Sequence, residues 1–499
     1  SSAVGVAKVF VTMRVVVSDV AGRTIELDLE PNCTVNHVKE CIASDWNIPG
    51  ACQSISFGLT KLQGSESLIS LGISSSANLL LLMVVSIDAI LRDLQSGDDT
   101  NQFRALEILE KLGPRGGSVV INEVSELLES DDDDVQTAAA EAFAYIAEAD
   151  DQEAIASIQN HLQHNDSRVR GKAAMALSHV SRQGNQVVIS SLTTLLEDDF
   201  EDVVQFALGS LSKVAMPGDS DVILAATRTF IDADRDEQNI RTAALRVLGQ
   251  VGNAETASFL FSLLQDEDSR VRQEAVMALG MQFERLAKYS EVTFLKRGDQ
   301  QIIKAMISLL RDESSDVREA ALEALGKAAE QGDQGVIVAA SALLQDDDRR
   351  IRQAAVQTLG EVAERGDGDV MNTLSALMQD DSVTVTCMSA LRKLALKGDQ
   401  NIISLVIALL ASDGKRSACV GLELLGHVAE KGDRGVTIAA SALLKDDDSF
   451  IRWRAVDTLG KVAERGQEDV INALKVCLQN EADDFVNRAI EGVLSHLVG

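Results

Sequence analysis

One dipeptide at a fixed spacing constrains this chain more than any other feature. Gly-Asp occurs at 298–299, 332–333, 366–367, 398–399 and 432–433. The interval is about 34 residues, with one contraction of about two residues before 398. Each unit reads as a helix, an acidic turn and a second helix. A hairpin of this size cannot bury both of its apolar faces alone, so it is stable only when stacked on its neighbours. Unit 333–366 shows the pattern: Val336, Ile337, Ala340, Leu343 and Leu344 make the stripe of the first helix, Asp346-Asp347-Asp348 the turn, and Ile351, Ala354, Ala355, Leu359, Val362 and Ala363 the inward face of the second. The glycine is expected to close one helix in the left-handed conformation, and the aspartate to cap the next.

Units 333–366 and 433–466 share about 24 of 34 residues, and their neighbours correspond at the same offset of about 100, as after duplication of a three-unit block. More divergent units precede them, at about 86–116, 117–150, 151–184, 185–218, 219–253 and 254–298. The total is about twelve hairpins. Composition agrees. A chain of 499 residues is too long for one compact globule, aromatics make up only 3%, and 4 prolines leave long helical stretches intact. The core must be built from Leu, Ala, Val and Ile.

The turn-plus-arginine signature recurs as Asp166-Ser167-Arg168-Val169-Arg170, Asp268-Ser269-Arg270-Val271-Arg272, Asp316-Val317-Arg318, Arg350-Ile351-Arg352 and Ile451-Arg452. Ala-Leu-Gly at 278–280 and 324–326, or Thr-Leu-Gly at 358–360 and 458–460, follows in the second helix. These residues resemble HEAT repeats, in particular the short HEAT-like repeats first described in phycobilisome lyases. The resemblance implies an α-α superhelix, a HEAT-type solenoid over residues 86–499. It also implies a ladder of arginine and aspartate along the stack, with Arg318, Arg352 and Arg452 as candidates.

Residues 13–85 read differently, and residues 1–12 are expected to be a flexible N-terminal segment. Met13–Val17 and Thr24–Leu29 are β-rich and joined by the turn signal Asp19-Val20-Ala21-Gly22. Thr34 is placed to cap a helix through Val35, Val38 and Ile42, and Ile48-Pro49 to end it. Further strands fall at Ile55–Phe57 and Leu79–Val85. This is a small α+β β-grasp pattern. Met13, Gly22, Thr24-Ile25, Leu27, Glu30-Pro31, Val38-Lys39, Ile48-Pro49, Gln53, Leu62, Leu68 and Ile73 give it a resemblance to ubiquitin. No Gly-Gly end is present, because Met83-Val84-Val85-Ser86 runs into a helix. Ser56 stands where ubiquitin has the isoleucine of its main binding patch, while the flanking Val20, Leu80 and Leu82 stay apolar. A docking surface and a simple cap on the first hairpin are both open readings.

No constellation for catalysis, cofactor or metal is found in the sequence. His161 and His164 read as a water-facing helix end, and no second pair sits at metal-ligand spacing. His-Glu dipeptides, which carry iron in one enzymatic branch of HEAT proteins, do not occur, and neither does a phosphate-binding loop. The six cysteines are scattered, as for reduced thiols in a cytoplasmic or nuclear protein. The chain opens on Ser1-Ser2, which fits a fragment or processed product and leaves a plastid address open. No stretch reaches the ~18 apolar residues of a membrane span. A net charge of −31 repels nucleic acid and anionic membranes and attracts basic proteins, or serves solubility.

The acidic turns Asp131–Asp134, Glu197–Asp199, Glu201-Asp202, Asp346–Asp348 and Asp446–Asp448 read either as a rail for a basic partner or as solvated caps. The second helices are expected to line the concave side, with Gln353, Gln357, Glu361 and Glu364 pointing outward. The duplicated unit has Trp453, Asp457, Lys461 and Glu464 there, with Phe450 at the turn. Tryptophan is enriched at interface hot spots, so Phe450 and Trp453 are candidate anchors, unless Trp453 packs on the next repeat. The longer unit carries Lys288, Tyr289, Phe294, Lys296 and Arg297, as a bend or a contact loop. The leading function is a non-catalytic protein–protein scaffold of unknown oligomeric state. The alternatives are a bilin lyase or its subunit, and an adaptor or receptor in the ubiquitin–proteasome system.

Overall fold

The structure, a computed structural model, describes residues 13–19, 22–30, 32–58, 60–71, 79–288, 297–378, 380, 382–411 and 415–498. The chain divides into two compact units, residues 1–247 and 248–499.

The first unit opens with β1 (Met13–Asp19), β2 (Thr24–Leu29), α1 (Val35–Trp46), β3 (Gln53–Phe57), β4 (Thr60–Lys61) and β5 (Leu79–Val85). The sheet order is β2-β1-β5-β3-β4, with β1 and β5 parallel and the other pairs antiparallel. Alternation along β5 explains the two faces: Leu79, Leu81 and Met83 are buried with Val38 and Ile42 of α1, and Leu80, Leu82 and Val84 are exposed. A helix in the crossover and a parallel central pair make this a β-grasp arrangement. α1 starts and ends where expected, but by other means: Thr34 occupies the N-cap position without a capping bond from its side chain, and the helix closes at Asn47, whose φ of 52° is left-handed, ahead of Ile48-Pro49. The sheet passes into the helical part without a linker. The Ser86 amide donates to Cys52 O at 2.7 Å and the helix Asp88–Leu94 follows at once.

Helical hairpins make up the rest of this unit, for example Gly117–Glu126 with Asp133–Ile146, and Gln152–Gln159 with Ser167–Val180. The second unit continues with hairpins such as Gln334–Ala342 with Arg349–Val362, Arg434–Ala442 with Ser449–Val462, and Glu468–Asn480 with Asp484–Val498. Within each unit second helices pack on second helices, and the small residues of those helices allow the approach. Ala324 lies against Gly280, and Ala390 against Gly360.

The Gly-Asp step does more than cap. Asp299, Asp333, Asp367 and Asp433 each accept backbone N–H bonds at the start of a first helix, as expected. The glycine, however, does not close the preceding helix. The helix Arg349–Val362 ends at Ala363 in extended conformation, and Gly366 sits beyond it at φ 86°. That conformation turns the glycine amide toward the next hairpin. Gly332 N–H donates to Val362 O at 2.6 Å, Gly366 to Leu394 O at 2.8 Å, and Gly432 to Val462 O at 2.8 Å. Each bond satisfies a carbonyl left free at the end of the next second helix.

The arginine ladder is present and runs further than the three predicted rungs. Arg452 donates to both oxygens of Glu481 at 2.7 and 2.6 Å, Arg170 to Asp198 at 2.7 and 2.8 Å, and Arg272 to Asp312 at 2.8 Å twice. Arg318 and Arg352 lie 3.4 and 3.5 Å from Asp346 and Asp380. Every one of these arginines also donates to the carbonyl six residues back in its own turn, as Arg452 does to Asp446 O at 2.8 Å. A single side chain thus pins its own turn and grips the next. At the equivalent positions Thr384 keeps only the local bond, to Met378 O at 3.2 Å, and Ala418 offers neither. Threonine adds a second seam. Thr358 Oγ1 donates to Leu322 O and Thr458 Oγ1 to Leu422 O, both at 2.9 Å and both buried, at the duplicated offset.

Candidate protein-interaction surface

The helix Ser449–Val462 places Phe450 in its first turn and Trp453 one turn on. Phe450 is 52% exposed and stacks on Trp453 with ring centroids 5.4 Å apart. Trp453 is half-buried, not fully outward as its sequence position implied. It leans on the next hairpin, where Phe485, 57% exposed, lies 5.6 Å away. The guanidinium of Arg454 covers Trp453 at 4.7 Å and Phe450 at 5.7 Å. Trp453 thus packs between repeats, and the two phenyl rings beside it face solvent.

The remaining stripe residues divide. Asp457 and Lys461 bond each other at 2.8 Å, and Asp457 also lies 3.6 Å from Arg454. Gln353 is half-buried and donates to Ser382 O at 2.8 Å, so it serves the seam between repeats. Gln357 and Glu361 are exposed, with Lys393 3.7 Å from Glu361. Sequence reasoning missed Phe485. A readable signal existed, because Asp448-Ser449-Phe450 recurs as Asp483-Asp484-Phe485.

On the β-grasp sheet, Ser56 pairs with Leu82, and Leu80 lies 63% exposed on the same face. Val20 lies outside the described residues, as do Tyr289, Phe294 and Lys296 of the long unit. That unit lengthens its second helix, which runs Ser269–Lys288. Many carboxylates of the acidic turns are engaged as caps or rungs: Asp132 holds Asp134 N and Val135 N, Asp348 holds Arg350 N, and Asp346 meets Arg318.

His161 overturns its expectation. It is buried, with Nε2 2.9 Å from Ser125 Oγ and Nδ1 3.1 Å from Glu129. The reason is positional. His161 stands where units on either side have the buried Leu127 and Leu195, so the fold draws it inward. Hydroxyl, imidazole and carboxylate in line have the look of a nucleophile relay, but Ser125 is 1% exposed and no substrate reaches it. The contact joins two hairpins. Burial also pushes the Cys387 thiol up to about 12 and the Cys52 thiol up to about 11, far from a reactive thiolate. Among the described residues no three His, Cys, Asp or Glu side chains gather as a metal site would, and no helix is long and apolar enough to cross a membrane. A shallow groove of about 790 Å³ beside the Arg452–Glu481 rung has Leu444, Val476 and Cys477 along it and Lys445, Asp446 and Asn480 at its edge.

A family model for HEAT repeats matches residues 121–212, 227–292, 303–395 and 404–495. The chain belongs to the HEAT-repeat family. These HEAT repeats account for the hairpins, the ladder and the paired-helix seams, and HEAT arrays generally mediate protein interactions. The β-grasp unit precedes the matched residues. No curated protein matches the chain.

Proposed function

We propose that this HEAT array is a non-catalytic protein–protein scaffold. In this reading partners dock on the face of the second helices, which pack on one another along each unit. The aromatic cluster of Phe450, Trp453 and Phe485 is the anchor. The observation that carries this reading is the pair of exposed phenyl rings held on a half-buried tryptophan, since clustered exposed aromatics are rare on a surface and enriched at hot spots. The equivalent contact elsewhere is ionic, as between Glu319 and Arg350 at 3.1 Å, so stacking alone does not require aromatics.

A second docking surface is the open β-grasp face around Leu80 and Leu82. Three exposed apolar side chains on the strand β5, Leu80, Leu82 and Val84, favour it, and a role as adaptor in the ubiquitin–proteasome system would use that face. Affinity capture with the full chain, with Trp453→Ala or Phe450→Ala, and with Leu80→Ser/Leu82→Ser, tests both surfaces. The two groups of variants are expected to lose different sets of captured proteins. Unchanged capture by the aromatic variants removes the anchor, and unchanged capture by the sheet variant removes the second surface.

A further inference from the structure

The aromatic anchor can be assigned a partner chemistry by comparing it with the same place in other repeats. In two of them the aspartate capping the second helix is neutralised by an arginine two residues on. Arg168 lies 2.9 Å from Asp166 Oδ2 and Arg350 lies 3.2 Å from Asp348 Oδ2, while Oδ1 of each aspartate accepts the backbone N–H of that arginine at 2.8 Å. In the last two repeats the capping aspartate is kept and the arginine is replaced by phenylalanine. Asp448 Oδ1 accepts from Phe450 N at 2.9 Å, and Asp483 Oδ1 from Phe485 N at 2.8 Å. Among the described residues, no basic side chain pairs with Asp448 or Asp483; Arg452 and Arg454 are taken by Glu481, Glu423 and Asp457.

The replacement therefore removes two internal cations and sets two carboxylates beside two exposed rings. An exposed ring of this kind accepts a guanidinium, as Arg454 over Phe450 and the neighbouring Trp453 demonstrates. Asp447 and Asp484 are exposed alongside, in a chain of net charge −31.

Resting on the anchor reading above, we propose that this surface binds an arginine-bearing basic segment of a partner protein. One guanidinium takes the place that Arg168 and Arg350 fill in their own repeats, against the second oxygen of Asp448 or Asp483 and over a phenyl ring. Arginine is favoured over lysine because its planar group stacks on a ring and meets a carboxylate with the same atoms.

Calorimetric titration of the full chain with amidated peptides of alternating Arg-Gly, Lys-Gly and Glu-Gly tests this. The arginine peptide is expected to bind best, the lysine peptide more weakly and the glutamate peptide not at all. Phe450→Arg/Phe485→Arg restores the internal cations and is expected to weaken arginine-peptide binding about tenfold or more. Asp448→Asn/Asp483→Asn keeps the caps and is also expected to weaken binding. Val338→Arg/Ile438→Arg adds the same charge at exposed sites on first helices, and is expected to leave affinity within about twofold, which separates the site from general attraction. Equal loss in this control pair and the phenylalanine pair, unchanged binding in the phenylalanine pair, or no binding by the parent chain overturns the proposal. Trp453→Ala in the capture experiment separates the two claims. Lost capture with a flat arginine titration leaves the anchor standing and removes the basic occupant; unchanged capture removes the anchor itself.

Discussion

Replacing Arg452 with methionine should release the last hairpin selectively. The arginine donates twice to Glu481, whose side chain is 2% exposed, and twice to the carbonyls of Asp446 and Asp447. Methionine fills much of the volume but leaves the carboxylate with only the amides of Ala482 and Asp483. Breaking a buried ion pair from one side costs about 3–5 kcal/mol, and the partial exposure of Arg452 places the expectation at about 3. Because repeats interact with nearest neighbours, the loss falls on the interface between 449–462 and 468–498. Native-state hydrogen exchange should show amide protection in 468–498 reduced about a hundredfold, with the β-grasp sheet unchanged. Adding Glu481→Gln should recover about half of the loss, because the orphaned charge is gone. Acid should mimic the variant. Arg452 holds the Glu481 carboxyl below the usual carboxylate range, so its stabilisation is complete above the unfolded value and disappears as pH falls through the depressed folded one. A loss spread evenly over all hairpins, or a double variant no more stable than Arg452→Met, would refute the reasoning.

Gly332→Ala should cost about 1–2 kcal/mol in thermal unfolding, from its φ of 85° and the approach of Glu364, whereas Gly368→Ala, at an open site without positive φ, should be near neutral. Thr358→Val and Thr458→Val should each cost about 0.5–1.5 kcal/mol in denaturant titration, and by similar amounts, since each removes the equivalent buried hydrogen bond to a carbonyl that keeps its own helical partner. Cys387 should resist alkylation at pH 8 until the chain unfolds, as read by peptide mapping, because burial holds its thiol protonated up to about 12.

Features that depend on neighbouring residues in the sequence were legible before the structure. The capping aspartates follow from local backbone geometry, and so does the positive φ of the glycines. The partners of the ladder were not legible, because Asp198 or Glu481 meets its arginine only through the distance between stacked hairpins. The target of the glycine amides was hidden for the same reason. His161 misled because a histidine beside Asn160 and Gln163 looks polar, while its register with Leu127 and Leu195 decides burial. Trp453 was found from one substitution within a duplicated block. Phe485 lay outside that block, and its recurrence after Asp483-Asp484 gained meaning only from the contact with Trp453.

The ladder also sets which units evolution can discard. Excising residues 332–365 would bring Arg318 opposite Asp380, and the break would heal with a new rung of the same kind. Excising 432–465 would bring Ala418 opposite Glu481, stranding a buried anion with no cation to meet it. Loss of a unit would thus keep the ladder whole in one stretch of the array and break it in another, although the two stretches share about 24 of 34 residues.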